Sequence, residues 1–91
     1  MGRIPDDAAI GAALLALAEA RGPGRSFCPS EAARAVSDDW RPLMPDMRRL
    51  AAALQTQGLL VATQKGRPVL ADRASGPIRL ALATGQMRAP R

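Results

Sequence analysis

Histidine and tyrosine are absent from this chain, and cysteine, phenylalanine and tryptophan occur once each. Without histidine no side chain has an ordinary titration near neutral pH, and a serine or cysteine nucleophile lacks its usual proton acceptor. One cysteine makes no internal disulfide, excludes the usual zinc sites and fits a reducing, cytoplasmic setting. A core so poor in aromatics must be aliphatic, and 19 alanines among 91 residues favour helix. Long apolar runs are also missing. The longest, Ala8 to Ala18, spans 11 residues, too short to cross a bilayer. No basic segment precedes it and no cleavage site follows, so no signal peptide is expected.

Acidic residues become scarce after residue 40. Residues 1–40 carry four arginines against six Asp and Glu, a net −2, whereas residues 41–91 carry nine basic against two acidic residues, a net +7. That asymmetry is the electrostatic footprint of a domain that meets a polyanion. Arginine serving as ordinary solubilising charge is the plainer reading of the same count.

The length suits one small domain, expected over residues 6–82, with flexible termini at 1–5 and 83–91. Asp6 and Asp7 open a first helix whose apolar face is Ile10, Leu14 and Leu17, and Gly22-Pro23-Gly24 ends it. Cys28-Pro29-Ser30-Glu31 starts a second helix, Pro29 to Val36. Cys28 is placed at its N-cap, Glu31 at N3 and Phe27 outside, stapling onto Ala32. Ala32, Ala33 and Val36 point inward, and Ser37-Asp38-Asp39 ends the helix. A connector from Trp40 to Met44 leads to a third helix, Pro45 to Gln57, with Met47, Leu50, Ala51 and Leu54 inward. Its opposite side carries Arg49, Ala52 and Thr56, flanked by Arg48 and Gln55. The period then changes. Leu59–Gln64 reads as a strand, Lys65-Gly66 as a tight turn, and residues through Val69 to Ala71 as the return strand, which Pro68 confines to an edge. Ile78, Leu80 and Leu82 alternate with Arg79 and Ala81 as a third short strand. The expected fold is therefore α+β: a small winged helix-turn-helix of three helices, a β-hairpin wing and a short third strand.

The segments CPSEAARAV, WRPLMPDMRRLAAAL, GLLVATQKG and GPIRL, in that order, resemble the bacterial domain of unknown function numbered 3253. The blocks reach from about Ile10 to Leu82. This resemblance implies a winged-helix-like domain and no established activity. Some relatives carry a cysteine-rich, zinc-binding segment upstream; these residues hold a single cysteine and give no ground for metal.

The catalytic templates find no support. Backbone N–H groups and the dipole at a helix N-terminus stabilise a thiolate, which is the reactive reading of Cys28. No base accompanies it, and a buried thiol acting as a small apolar cap is the structural reading. Asp38 and Asp39 are adjacent and point apart on extended chain. Gly22 to Ser26 lacks the Lys-Ser/Thr of a phosphate-binding loop. A non-enzyme without cofactor or metal is expected.

Binding has better support. In a helix-turn-helix the second helix of the motif enters the major groove. Here that helix offers Arg48 and Arg49 for phosphate or guanine, Gln55 for adenine, and Thr56 beside them. Lys65 and Arg67 at the hairpin tip would touch the backbone or minor groove. Arg79 is read as a wall charge pairing with Glu31 or Asp46. Trp40 is read as a roof over the core, with base stacking as the alternative. The expected partner is nucleic acid, duplex DNA in particular. The competing expectation is a protein-interaction or homodimerisation module using Leu15, Ala12 and Ala16 on the first helix. Neither reading involves a membrane.

Overall fold

A computed structural model gives the fold, and its residues 5–83 are described. Helix α1 (Asp7–Arg21) begins where the Asp6 carboxylate accepts the Ala9 N–H at 2.9 Å. It ends where Gly22, at φ 84°, donates to the Ala18 carbonyl. Its buried stripe is Ile10, Leu14 and Ala18. Leu17, expected on that stripe, is half-buried at the edge of the core, because the buried line of α1 runs i, i+4, i+8 through Ile10, Leu14 and Ala18.

Helix α2 (Pro29–Val36) has the expected bounds, with Cys28 at the N-cap and Pro29 at N1. Glu31 reaches back and accepts the Cys28 N–H at 2.9 Å, which satisfies one of the orphan donors of the first turn. Phe27 is fully buried, and its backbone exchanges two 2.8 Å hydrogen bonds with Leu80. The segment between the helices is thus sewn to the sheet. The connector after α2 is a 3₁₀ turn, Arg41–Leu43, that runs directly into helix α3 (Met44–Thr56), one residue earlier at each end than expected.

Strand β1 (Leu60–Gln64) is central in an antiparallel sheet of order β2-β1-β3, with β2 (Arg67–Pro68) and β3 (Arg79–Leu82) at its edges. Lys65 at φ 52° and Gly66 at φ 81° form the two-residue turn, both in the left-handed region whose twist matches a hairpin. The pairing Leu60↔Leu82 and Ala62↔Leu80 sends Leu60, Ala62 and Leu80 into the core against the three helices.

Four expectations are corrected by the fold. The return strand does not reach Ala71: after the Val69 N–H bonds Ala62, the chain leaves β1 and turns at Leu70 toward α3. Ala52 is not exposed but 8% accessible, since that departing segment packs over it. The third strand starts at Arg79 rather than Ile78, and the fold continues to Ala83, which is 4% accessible and donates to Leu59. The remainder of the expected flexible termini, residues 1–4 and 84–91, lies outside the described residues.

Candidate functional site

The third helix holds most of the basic and polar groups expected to read nucleic acid, so their partners decide what the helix can offer. Arg48 is half-buried and donates to the Ala74 carbonyl at 2.7 Å and to the Gly76 carbonyl. Gln55 donates to the Val69 carbonyl at 2.9 Å and accepts the Ala71 N–H at 2.8 Å. A primary amide matches one backbone carbonyl and one N–H, as a neighbouring strand would. Gln55 therefore takes over the backbone groups that an extended β2 would have paired with β1. Together the two side chains latch residues 69–76 across α3.

Arg49 is exposed and ion-paired, 2.8 Å from Asp7 on α1 and 3.2 Å from Asp46 one turn earlier. The Asp7 hydrogen bond, followed by that from Asp46, holds its guanidinium above its ordinary range. Thr56 is exposed and returns its hydroxyl to the Ala53 carbonyl at 2.7 Å. The structure thus brings Arg48 and Gln55 onto one loop and sets Arg49 against two carboxylates.

Lys65 and Arg67 stand differently. Both are exposed, and neither has an ion pair or side-chain hydrogen bond among the described residues. The turn carrying them is fixed by its left-handed pair, so their charges project from a defined position. Arg79 does not pair with Glu31 or Asp46 as expected. It donates to Ser26 Oγ at 2.9 Å, to the Ser26 carbonyl at 3.0 Å and toward Cys28 Sγ at 3.0 Å. It remains close enough to help hold Glu31 below the ordinary glutamate value, behind the Cys28 N–H and Arg21 as causes.

A groove of about 820 Å³ opens between this hairpin and the segment Ser75–Arg79. The register aligns Pro68, Thr63 and Arg79 across β2, β1 and β3 on the outer face of the sheet. Val69 and Pro77 add apolar lining, Lys65 and Arg67 stand beside it, and Cys28 lies beside Arg79. No Asp or Glu lines it. Gln64 holds the far wall by donating to the Ser75 carbonyl and, at 3.2 Å, to that of Pro77. The sequence reading named Lys65 and Arg67 but missed the groove. Its signal was present in Arg79, which alternates with inward Ile78 and Leu80 and so faces outward beside Thr63.

Two further expectations meet their surroundings here. Trp40 is half-buried against the core, and the Arg34 and Arg41 guanidinium carbons each lie 4.7 Å from its ring centroid. Those cations occupy the ring that a base would need for stacking. Leu15 packs against the core, so the apolar patch foreseen on α1 reduces to Ala12 and Ala16.

The family model described as "Protein of unknown function (DUF3253)" matches residues 7–83, nearly all of the described fold. The chain belongs to the DUF3253 family. The match spans the latch, the hairpin and the groove of this DUF3253 domain, from Asp7 to Ala83. No curated protein matches the chain.

Proposed function

We propose that this DUF3253 domain is a non-catalytic, winged-helix-like module that binds nucleic acid through its hairpin, with α3 acting as scaffold. The order of three helices followed by a hairpin and an outer strand supports the winged-helix reading. One observation carries the function: Lys65 and Arg67 are the exposed, unpartnered cations at a rigid turn, while Arg48, Arg49 and Gln55 are engaged within the fold. Cations on such a wing neutralise phosphates and release counterions without reading bases, which gives sequence-tolerant, salt-sensitive binding. Lys65→Ala with Arg67→Ala should weaken binding to a random duplex at about 50 mM salt while leaving the melting temperature nearly unchanged, because exposed charges contribute little to stability. Equal binding by wild type and variant removes the hairpin from this reading.

The second reading is a protein-docking or dimerisation module. It draws on Leu70, which is 47% accessible and is the one exposed large apolar side chain among the described residues. A single leucine is far less than the contiguous apolar patch that marks an interface, so nucleic acid is preferred. Sedimentation of wild type and Leu70→Ser tests the alternative: a dimer lost on substitution would favour it.

A further inference from the structure

We infer that the groove beside the hairpin accommodates an unpaired nucleotide, so that the domain favours single-stranded over duplex nucleic acid; this rests on the nucleic-acid reading above. The groove is concave and roomy at about 820 Å³. Its free cations are Lys65 and Arg67, Arg79 is held on its floor by Ser26 and Cys28, and Pro68, Val69 and Pro77 supply apolar lining. A duplex presents a convex row of phosphates, which would meet Lys65 and Arg67 and leave the apolar lining in water. An unpaired nucleotide meets both, with its phosphate at Lys65 and Arg67 and the flat face of its base against the proline rings. The Thr63 and Ser75 hydroxyls add hydrogen-bonding groups that every base can use. The absence of any carboxylate from the lining removes the repulsion a phosphate would otherwise meet. With α3 latched under residues 69–76, the major-groove mode that would favour a duplex is already occupied by the protein's own loop.

The probes are a fluorescent thymidine dodecamer, the matching adenine–thymine duplex and free thymidine monophosphate, each titrated at about 50 mM salt. The single strand should bind about fivefold tighter than the duplex, the worth of roughly 40 Å² of apolar surface removed from water. Backbone amide resonances of Thr63, Gln64, Val69, Ser75 and Arg79 should shift with the single strand, whereas the duplex should move those of Lys65, Gly66 and Arg67 alone. Ser75 is exposed and its hydroxyl makes no hydrogen bond among the described residues, so Ser75→Glu should fold normally. A carboxylate there should lower the single-strand preference by about threefold. A duplex bound as tightly as the single strand, or a preference unchanged in Ser75→Glu with no groove shifts in wild type, overturns the inference and leaves the hairpin reading intact. Monophosphate binding as tightly as the dodecamer overturns it in favour of a free nucleotide. No binding of any probe overturns this inference together with the nucleic-acid reading.

Discussion

Glu31 does two jobs at the start of α2. One carboxylate oxygen accepts the Cys28 N–H, and the other pairs with Arg21 at the end of α1. The N–H bond first, and Arg21 next, hold its pKa below the ordinary value of 4.5, against the opposing effect of partial desolvation. The folded state therefore binds fewer protons than the unfolded chain just below that value, and folding stability falls as the medium becomes more acidic. The contribution is fully present above 4.5 and is lost as pH drops through the lower folded value. Urea unfolding of wild type and Glu31→Gln across acidic pH should show the wild-type advantage shrinking on acidification. An advantage that stays constant would mean that Glu31 is not the group responsible. Cys28 belongs to the same corner, with its thiol beside the Arg79 guanidinium and its N–H on the Glu31 carboxylate. Serine keeps both the capping geometry and an acceptor for Arg79, so Cys28→Ser should change unfolding free energy by about 1 kcal/mol or less. A loss of several kcal/mol in the same urea titration would show that the thiol is packed more tightly than its half-buried setting indicates.

At the scale of elements, the latch over α3 separates what the sequence revealed from what it hid. Helix bounds were legible because each depends on neighbours in sequence: Asp6 before Asp7, Cys28-Pro29 before Glu31, Gly22 after Arg21. The hairpin was legible for the same reason, through Lys65-Gly66. The roles of Arg48 and Gln55 were not, since their partners lie 14 to 28 residues away in a loop of no regular period. On a helical wheel both residues flank the outward side of α3, and only the path of residues 69–76 turns that flank into an interior contact. The latch makes a prediction opposite to that of a reading helix. Gln55→Ala leaves the Val69 carbonyl and the Ala71 N–H without their partner and should cost about 1–3 kcal/mol of stability. Arg48→Ala should cost a similar amount, about 1–3 kcal/mol, by freeing the Ala74 and Gly76 carbonyls. Thermal or urea unfolding checks both. Unchanged stability with weakened nucleic-acid binding would instead return α3 to the interface.

Across the whole molecule the charges sort themselves by pairing as much as by position. The acidic first half of the chain spends Asp7 on Arg49 and Glu31 on Arg21, which neutralises arginines in or between the helices. What remains positive and without a partner at the sheet end is Lys65 and Arg67, beside a groove whose lining holds no carboxylate and whose Arg79 is bonded to Ser26 and Cys28. The +7 of residues 41–91 announced a cationic region, but net charge alone gave no sign of which arginines were already satisfied. Salt dependence distinguishes the two kinds. Each phosphate contact adds about 0.9 to the log–log salt slope on a duplex and about 0.7 on a single strand. Lys65→Ala with Arg67→Ala should therefore flatten the slope by up to about 1.8 on duplex and about 1.4 on single strand. Arg49→Ala is the decisive control, because its guanidinium already sits between Asp7 and Asp46. Removing it also exposes two carboxylates, so it should weaken binding slightly through long-range repulsion, which salt screens, and change the slope by much less than one phosphate contact would. A slope lowered by about 0.9 in Arg49→Ala would place a phosphate on α3 and move the interface from the hairpin to the helix.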